Sequence, residues 1–189
     1  ATQRSLNINN GSGVIAFDDD IGTASANSRL LSITTDTDGV TPGNSGSIRL
    51  GNASGLNGTA DTGVADAVVN GLQQRTITIR TRGTVAGEGV NLGDQFINLD
   101  ADVIIDAGNL GGVDFGRNAG NGRINTLDRT SFVALNQPEI YRGLTVNTGG
   151  ITRFRNVVGG ESFSPVGAGQ RRLAFITTDA GTTGLGVDA

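Results

Sequence analysis

The chain has 189 residues, among them 31 glycines, 14 arginines, 15 aspartates and 3 glutamates, with a net charge of -4 and no lysine, histidine, cysteine, methionine or tryptophan. These absences exclude thiolate and imidazole metal sites, disulfides, Schiff-base lysines, and Cys or Ser-His nucleophile systems. Carboxylates, arginines, hydroxyls, amides and backbone remain. The arginines are scattered singly apart from Arg153/Arg155 and Arg171-Arg172, so no basic stripe offers itself to nucleic acid, and no apolar run approaches the length that spans a bilayer. Ala1 to Asn10 has neither a basic start nor an apolar stretch of the signal-peptide kind, so the numbering is expected to begin on mature or excised chain.

Short apolar runs separated by Gly, Asn and Asp occupy the sequence from its start. In chain order they are Leu6 to Ile8, Val14 to Phe17, Leu30 to Ile33, Ile48 to Leu50, Ile77 to Ile79, Val90 to Leu92, Phe96 to Leu99 and Val103 to Ile105. Val113 to Phe115, Leu144 to Val146, Ile151 to Phe154 and Leu173 to Ile176 complete the series. Their alternation with period two and their brevity predict strands with one buried face, since a helix needs a longer amphipathic run. Asn-Gly pairs at 10–11, 57–58, 70–71 and 121–122 mark turns. Residues 52–74 break the pattern. There Asp61 is placed to cap a short helix presenting Ala65, Val68, Val69 and Leu72, and an irregular insertion loop fits equally well. A second stretch, 116–141, is also irregular.

The runs repeat. Leu6-Asn-Ile-Asn-Asn-Gly-Ser-Gly-Val-Ile-Ala-Phe17, ending at Ile21-Gly22, matches Leu144-Thr-Val-Asn-Thr-Gly-Gly-Ile-Thr-Arg-Phe154, ending at Val158-Gly159. Each copy then continues with R-L-x-x-I-T-T-D, at Arg29 to Asp36 and at Arg172 to Asp179. A partial third copy runs from Val103 to Gly108 and on through Gly112 to Gly116, and the theme [IV]-x-[LF]-G recurs at 48–51, 90–93 and 113–116. Units that cannot bury an apolar face alone do so by stacking, so the expected fold is all-β, a parallel β-helix (β-solenoid) with loop insertions, forming one segment over 1–189. Coils of roughly 20–25 residues would give about seven or eight rungs and a length near 35 Å. A β-sandwich is the runner-up, but it leaves the return of the Leu6 unit at Leu144 unexplained. The repeat also runs close to both ends of the sequence without a polar capping element, which leads to the expectation that the coil continues beyond them.

The units L-N-I-N-N-G-S-G-V-I-A-F, V-I-I-D-A-G-N-L-G-G-V-D-F-G and L-T-V-N-T-G-G-I-T-R-F, followed by I-T-T-D-A-G-T-T at 176–183, resemble the β-strand repeats of large bacterial surface and secreted proteins of the filamentous haemagglutinin type. The resemblance implies a right-handed parallel β-helix, an extracellular or cell-surface location, and a part in adhesion, matrix or filament construction.

Candidate sites follow from the remaining chemistry. Asp18, Asp19 and Asp20, with Asp36 and Asp38, are the densest carboxylates and the calcium candidates; the alternative is solvated corners, because the Asp36-Thr37-Asp38-Gly39 run lacks the further ligands of a calcium loop. Arg153 with Arg155, Arg171 with Arg172, and Tyr141 are candidates for binding an acidic glycan or partner surface, against pairing with Asp of a neighbouring coil or packing at the core edge. Asp100 with Asp102, and Arg80 with Arg82, have the spacing of residues on one strand face, which a polysaccharide-cleaving β-helix would use and an ordinary polar face would also show. The expected function is a non-enzymatic structural β-solenoid of an extracellular fibre or matrix, associating end to end with itself or with neighbouring repeats, and needing no cofactor. The alternative is an adhesin or glycan-binding module acting through 52–74 or an arginine face. A polysaccharide-active enzyme is a third reading.

Overall fold

The computed structural model describes residues 4–11, 13–17, 19–23, 28–35, 47–51, 67–69, 72–74, 76–85, 88–93, 96–99, 101–116, 123–126, 141–159 and 173–178. Among them every regular element is a strand: β1 (Leu6–Ile8), β2 (Ile15–Phe17), β3 (Ile33–Thr35), β4 (Ser47–Leu50), β5 (Ala67–Val69), β6 (Leu72–Gln74), β7 (Thr76–Arg80), β8 (Gly89–Leu92), β9 (Phe96–Leu99), β10 (Asp102–Asp106), β11 (Gly112–Phe115), β12 (Arg123–Thr126), β13 (Gly143–Asn147), β14 (Thr152–Phe154) and β15 (Phe175–Thr178). Thirteen of these build three parallel sheets. The first has the order β1-β3-β8-β11-β14, the second β2-β4-β9-β12 and the third β7-β10-β13-β15. Isolated parallel bridges extend two of them by one residue: Ile21 joins Ile79 at the free side of β7, and Val158 joins Ile124 at the free side of β12.

With those bridges included, the chain visits the first, second and third sheets in constant rotation, and each sheet then carries five levels. The sequence spacing between levels varies because the connections differ in length. From Ile33 to its neighbour Val90 the chain carries the 52–74 stretch, whereas Val90 and its neighbour Val113 are separated by β9, β10 and short corners. Five levels among the described residues replace the seven or eight expected from a uniform repeat, and at strand spacing they rise about 20 Å.

Residues in register form continuous columns. On the first sheet Leu6, Ile33, Val90 and Val113 stack, and beside them Ile8, Thr35, Leu92, Phe115 and Phe154. On the second, Ile15, Ile48, Ile97 and Ile124 stack. On the third, Ile77, Val103, Leu144 and Ile176 stack, as do Ile79, Ile105 and Val146. Strand alternation sends these side chains to one face, and in the middle levels they are almost wholly buried. The first level is less covered: Leu6, Ile8, Phe17 and Ile21 are only partly buried. The fifth is open, with Phe154 37 % and Ile176 42 % exposed at positions that are sealed one level earlier.

The repeat found in the sequence has a definite meaning in this arrangement. The first copy begins on the first sheet with β1, passes to the second with β2, reaches the third at Ile21 and returns to the first with β3. The second copy begins on the third sheet with β13, passes to the first with β14, reaches the second at Val158 and returns to the third with β15. It is the same path displaced by one sheet, and both copies turn after their bridge residue on a glycine with positive φ, Gly22 and Gly159. The partial third copy lies directly beneath the second, with Val103 to Asp106 against Leu144 to Asn147 and Val113 to Phe115 against Thr152 to Phe154.

Two expectations change. Val68, Val69 and Leu72 lie in β5 and β6, an antiparallel pair, so the helix suggested for the 52–74 stretch is not formed there. Asp61 and Ala65 fall outside the described residues. The irregular 116–141 stretch contains β12, which pairs in parallel with β9 through Ile124 against Ile97. No helix among the described residues is long and apolar enough to cross a membrane.

Candidate functional site

Of the carboxylates singled out from the sequence, Asp20 and Asp102 hold strand edges. Asp20 Oδ1 accepts the Thr78 N–H at 2.6 Å, while the adjacent Ile21 N–H donates to the Thr78 carbonyl and Arg80 N–H donates to the Ile21 carbonyl, both at 2.9 Å. The side chain thus supplies the acceptor that a longer strand would have presented to β7, extending a one-residue rung by a further bond. Asp19 Oδ1 accepts the Asp20 N–H at 2.8 Å. Asp102 Oδ1 accepts the Gly143 N–H at 2.8 Å, across adjacent levels of the third sheet. Among the described residues no group of three or more acidic side chains is placed to hold a metal ion. Asp18, Asp36, Asp38 and Asp100 lie outside the described residues, so neither the calcium candidates as a set nor the Asp100/Asp102 pair is brought together there.

The arginine candidates divide. Arg153 and Arg155 converge on Asp114 of the preceding level, with Arg155 Nη2 2.9 Å and Nε 3.1 Å from Oδ1, and Arg153 Nη1 3.4 Å from Oδ2. Arg153 stands next to Asp114 because β14 pairs with β11 in that register. Pairs this exposed contribute about 0.2–1 kcal/mol each. Arg171 and Arg172 lie outside the described residues. Tyr141 is half-buried immediately before the buried Arg142, at the entrance to β13. Among the described threonines, Thr35 points inward, donating to the Asn91 carbonyl and accepting the Gly93 N–H, and Thr78, Thr145 and Thr177 share an outward row with Ile104.

A concave site not anticipated from the sequence lies on the corners that lead from the third sheet to the first. These corners approach one another so closely that side chains cannot be accommodated. A Cβ on Gly83 would lie 2.3 Å from the Gly111 Cα, one on Gly111 2.2 Å from the Ala107 carbonyl oxygen, and one on Gly89 2.1 Å from the Gly112 oxygen. The bare backbone leaves a groove of about 380 Å³ lined by Arg29, Arg82, Gly83, Thr84, Gly108, Asn109 and Leu110. Asp106 at its side faces two arginines, with Oδ2 3.7 Å from Arg29 Nη2 and 3.5 Å from Arg80 Nε. Arg82 is exposed and makes no ion pair among the described residues. Glu88 turns back onto Thr84, accepting its N–H at 2.9 Å and its hydroxyl at 3.1 Å. The Thr84 N–H bond holds the Glu88 carboxyl below its ordinary range.

The signal that could have located the groove was the Arg80-Thr81-Arg82-Gly83 run. Its spacing suggests a strand face, whereas β7 ends at Arg80 and Arg82 belongs to the corner. Compared with protein-family models, curated proteins and solved structures, the chain finds no match.

Proposed function

We propose that this chain is a three-sided, right-handed parallel β-solenoid that serves as a non-enzymatic structural element of an extracellular fibre, matrix or cell-surface protein, extended end to end by parallel strand addition. The constant rotation through three parallel sheets supports the solenoid, and the near-universal right-handedness of parallel crossovers supports its hand. The extracellular setting rests on the resemblance to bacterial surface-protein repeats alone.

The observation that carries end-to-end extension is the open fifth level. Phe154 and Ile176 are exposed there, on strands whose outer edge is unpaired among the described residues, while Phe115 and Leu144, one level earlier in the same columns, are sealed. Unpaired parallel edges above an uncovered apolar face are a template for another level. The first level offers the matching surface, since among the described residues β1 and β2 present free edges of the same strand polarity and Leu6, Ile8 and Phe17 are only partly covered. A second copy or a following coil placed on the fifth level continues the stack. No catalysis or cofactor is part of this reading, because the carboxylates that can be placed are engaged with backbone N–H groups or arginines. Nor does it include nucleic-acid binding or membrane insertion.

Sedimentation velocity over a wide concentration range tests the extension. The chain is expected to form a ladder of oligomers, and Ile176→Asp, which places a charge on the open face, is expected to hold it monomeric. A monomer at every concentration, or an Ile176→Asp ladder equal to that of the parent, would count against the proposal.

A further inference from the structure

We propose that the corner groove between Arg29 and Arg82 binds an anionic saccharide through its carboxylate or sulfate group, a role independent of end-to-end extension. The site follows from the corner geometry. Gly83 and Gly108 must lack side chains because adjacent corners touch through backbone, and that requirement leaves a floor of bare main chain between two arginines. Its volume, about 380 Å³, falls in the range of small-ligand sites.

Among the described residues the charge here runs opposite to that of the whole chain: net charge is -4, yet Arg29, Arg80 and Arg82 gather at this corner against Asp106 and the inturned Glu88. Asp106 is shared by Arg29 and Arg80, and Arg82, which lines the groove, has no ion-pair partner among the described residues. A planar guanidinium offers two parallel donors to a carboxylate or sulfate. Arg29, whose 3.7 Å contact to Asp106 is long, is able to share its donors with a bound anion.

The floor determines the class of ligand. Gly83 N–H already donates to the Ala107 carbonyl, the Gly83 carbonyl accepts from Leu110 N–H, and the Gly108 carbonyl accepts from Gly149 N–H. A peptide therefore cannot add itself as a strand here, which is the way exposed backbone ordinarily captures one. A ligand must bring its own charge and hydroxyls. Asn109 supplies an exposed amide, and Leu110, 53 % exposed, supplies an apolar wall for the C–H face of a sugar ring.

The test is a titration of the isotopically labelled chain followed through the amide signals of Gly83, Gly108 and Asn109. Its probes are a uronic-acid trisaccharide, a sulfated disaccharide, a neutral trisaccharide and an acidic tetrapeptide. Saturable shifts of these amides are expected with one or both charged saccharides, and whichever binds identifies the anion as carboxylate or sulfate. Arg82→Gln is expected to weaken that binding at least tenfold, Arg153→Gln on the outer face of the first sheet is expected to leave it unchanged, and added salt is expected to weaken it. Arg82 is exposed, so the variant retains the fold, as its unperturbed spectrum away from the corner will confirm. Equal binding of the neutral sugar, preferential binding of the peptide, absence of shifts with either charged saccharide, or undiminished binding by Arg82→Gln would each overturn the proposal.

Discussion

Phe115 and Phe154 occupy adjacent levels of one column, their rings parallel with centroids 5.0 Å apart, and they differ in what lies beyond them. Phe115 is completely buried between Leu92 below and Phe154 above, whereas Phe154 has one ring face covered and is 37 % exposed. Replacing a fully buried Phe by Ala costs about 3–5 kcal/mol in transfer and cavity terms. Phe115→Ala removes contacts to two levels from a wholly buried position, so the upper part of that range is expected. Phe154→Ala forfeits roughly two-thirds of the burial and leaves an open notch in place of a cavity, which scales the loss to about 2 kcal/mol. The double variant should show a coupling of about 0.5–1.5 kcal/mol, the contribution of the ring pair beyond its area. The assay is urea unfolding by circular dichroism at a concentration too low for association, completed as a double-mutant cycle. Equal costs for the two single variants, or zero coupling, would refute the layered account of the core.

Three further outcomes follow from named contacts. Gly111→Ala forces a Cβ to within 2.2 Å of the Ala107 carbonyl oxygen and is expected to destabilise by at least 2 kcal/mol, whereas Gly11→Ala, with open space and only its φ of +53° to accommodate, is expected to cost about 1 kcal/mol in the same unfolding assay. Asp20→Ala leaves the Thr78 N–H without its acceptor and is expected to cost about 1–3 kcal/mol, with Asp20→Asn recovering most of it because the amide oxygen still accepts; rapid exchange of the Thr78 amide in the alanine variant alone would confirm the cause. Glu88 has a folded-state pKa below its unfolded value, so the stabilisation from its Thr84 bonds is present above the ordinary glutamate pKa and is lost as pH falls through the folded value. The Thr84 amide signal should accordingly titrate with a midpoint below that of an ordinary glutamate, and Glu88→Gln should abolish the titration.

The strand positions were largely legible because each buries one face, and period-two alternation survives in runs as short as Ile15–Phe17 or Val113–Phe115. Registers were legible where two copies of one unit stack directly, as Val103 to Asp106 does on Leu144 to Asn147. The number of levels was not, because the unequal connections hide the spacing on which such a count depends. β12 has no signature in the sequence, for a different reason. Arg-Ile-Asn-Thr carries one large apolar residue, Ile124, and a single point has no period. The one-residue rungs at Ile21 and Val158 have no strand signature at all, and they are found only through their parallel partners.

Side-chain partnerships were the least legible. In the sequence Asp20 stands among adjacent carboxylates, whereas its partner, Thr78, is brought beside it by the path of the chain through three sheets. Arg153 was one of two candidates on β14 and the corner after it, but its neighbour Asp114 follows only from the β11–β14 register. The groove required knowledge of three corners at once. Glycine content alone signals turns, and it takes the stacking of Gly83, Gly108 and Gly111 to turn that content into a concave floor.

The absence of cysteine makes the central claim directly measurable. If the first level of one copy continues the fifth level of another, β1 lies beside β14 in the register of the existing columns, and Asn7 stands next to Arg153 on the outer face. Neighbouring strands place such residues about 4.8 Å apart, within the Cα separation that a disulfide spans. Mixing Asn7→Cys chains with Arg153→Cys chains under mild oxidation is predicted to give mixed dimers in strong preference to either like-with-like dimer, and a chain carrying both substitutions is predicted to give a ladder of linked oligomers. Like-with-like dimers in equal yield, or a double variant that remains unlinked at concentrations where other engineered surface thiols react, would contradict head-to-tail extension.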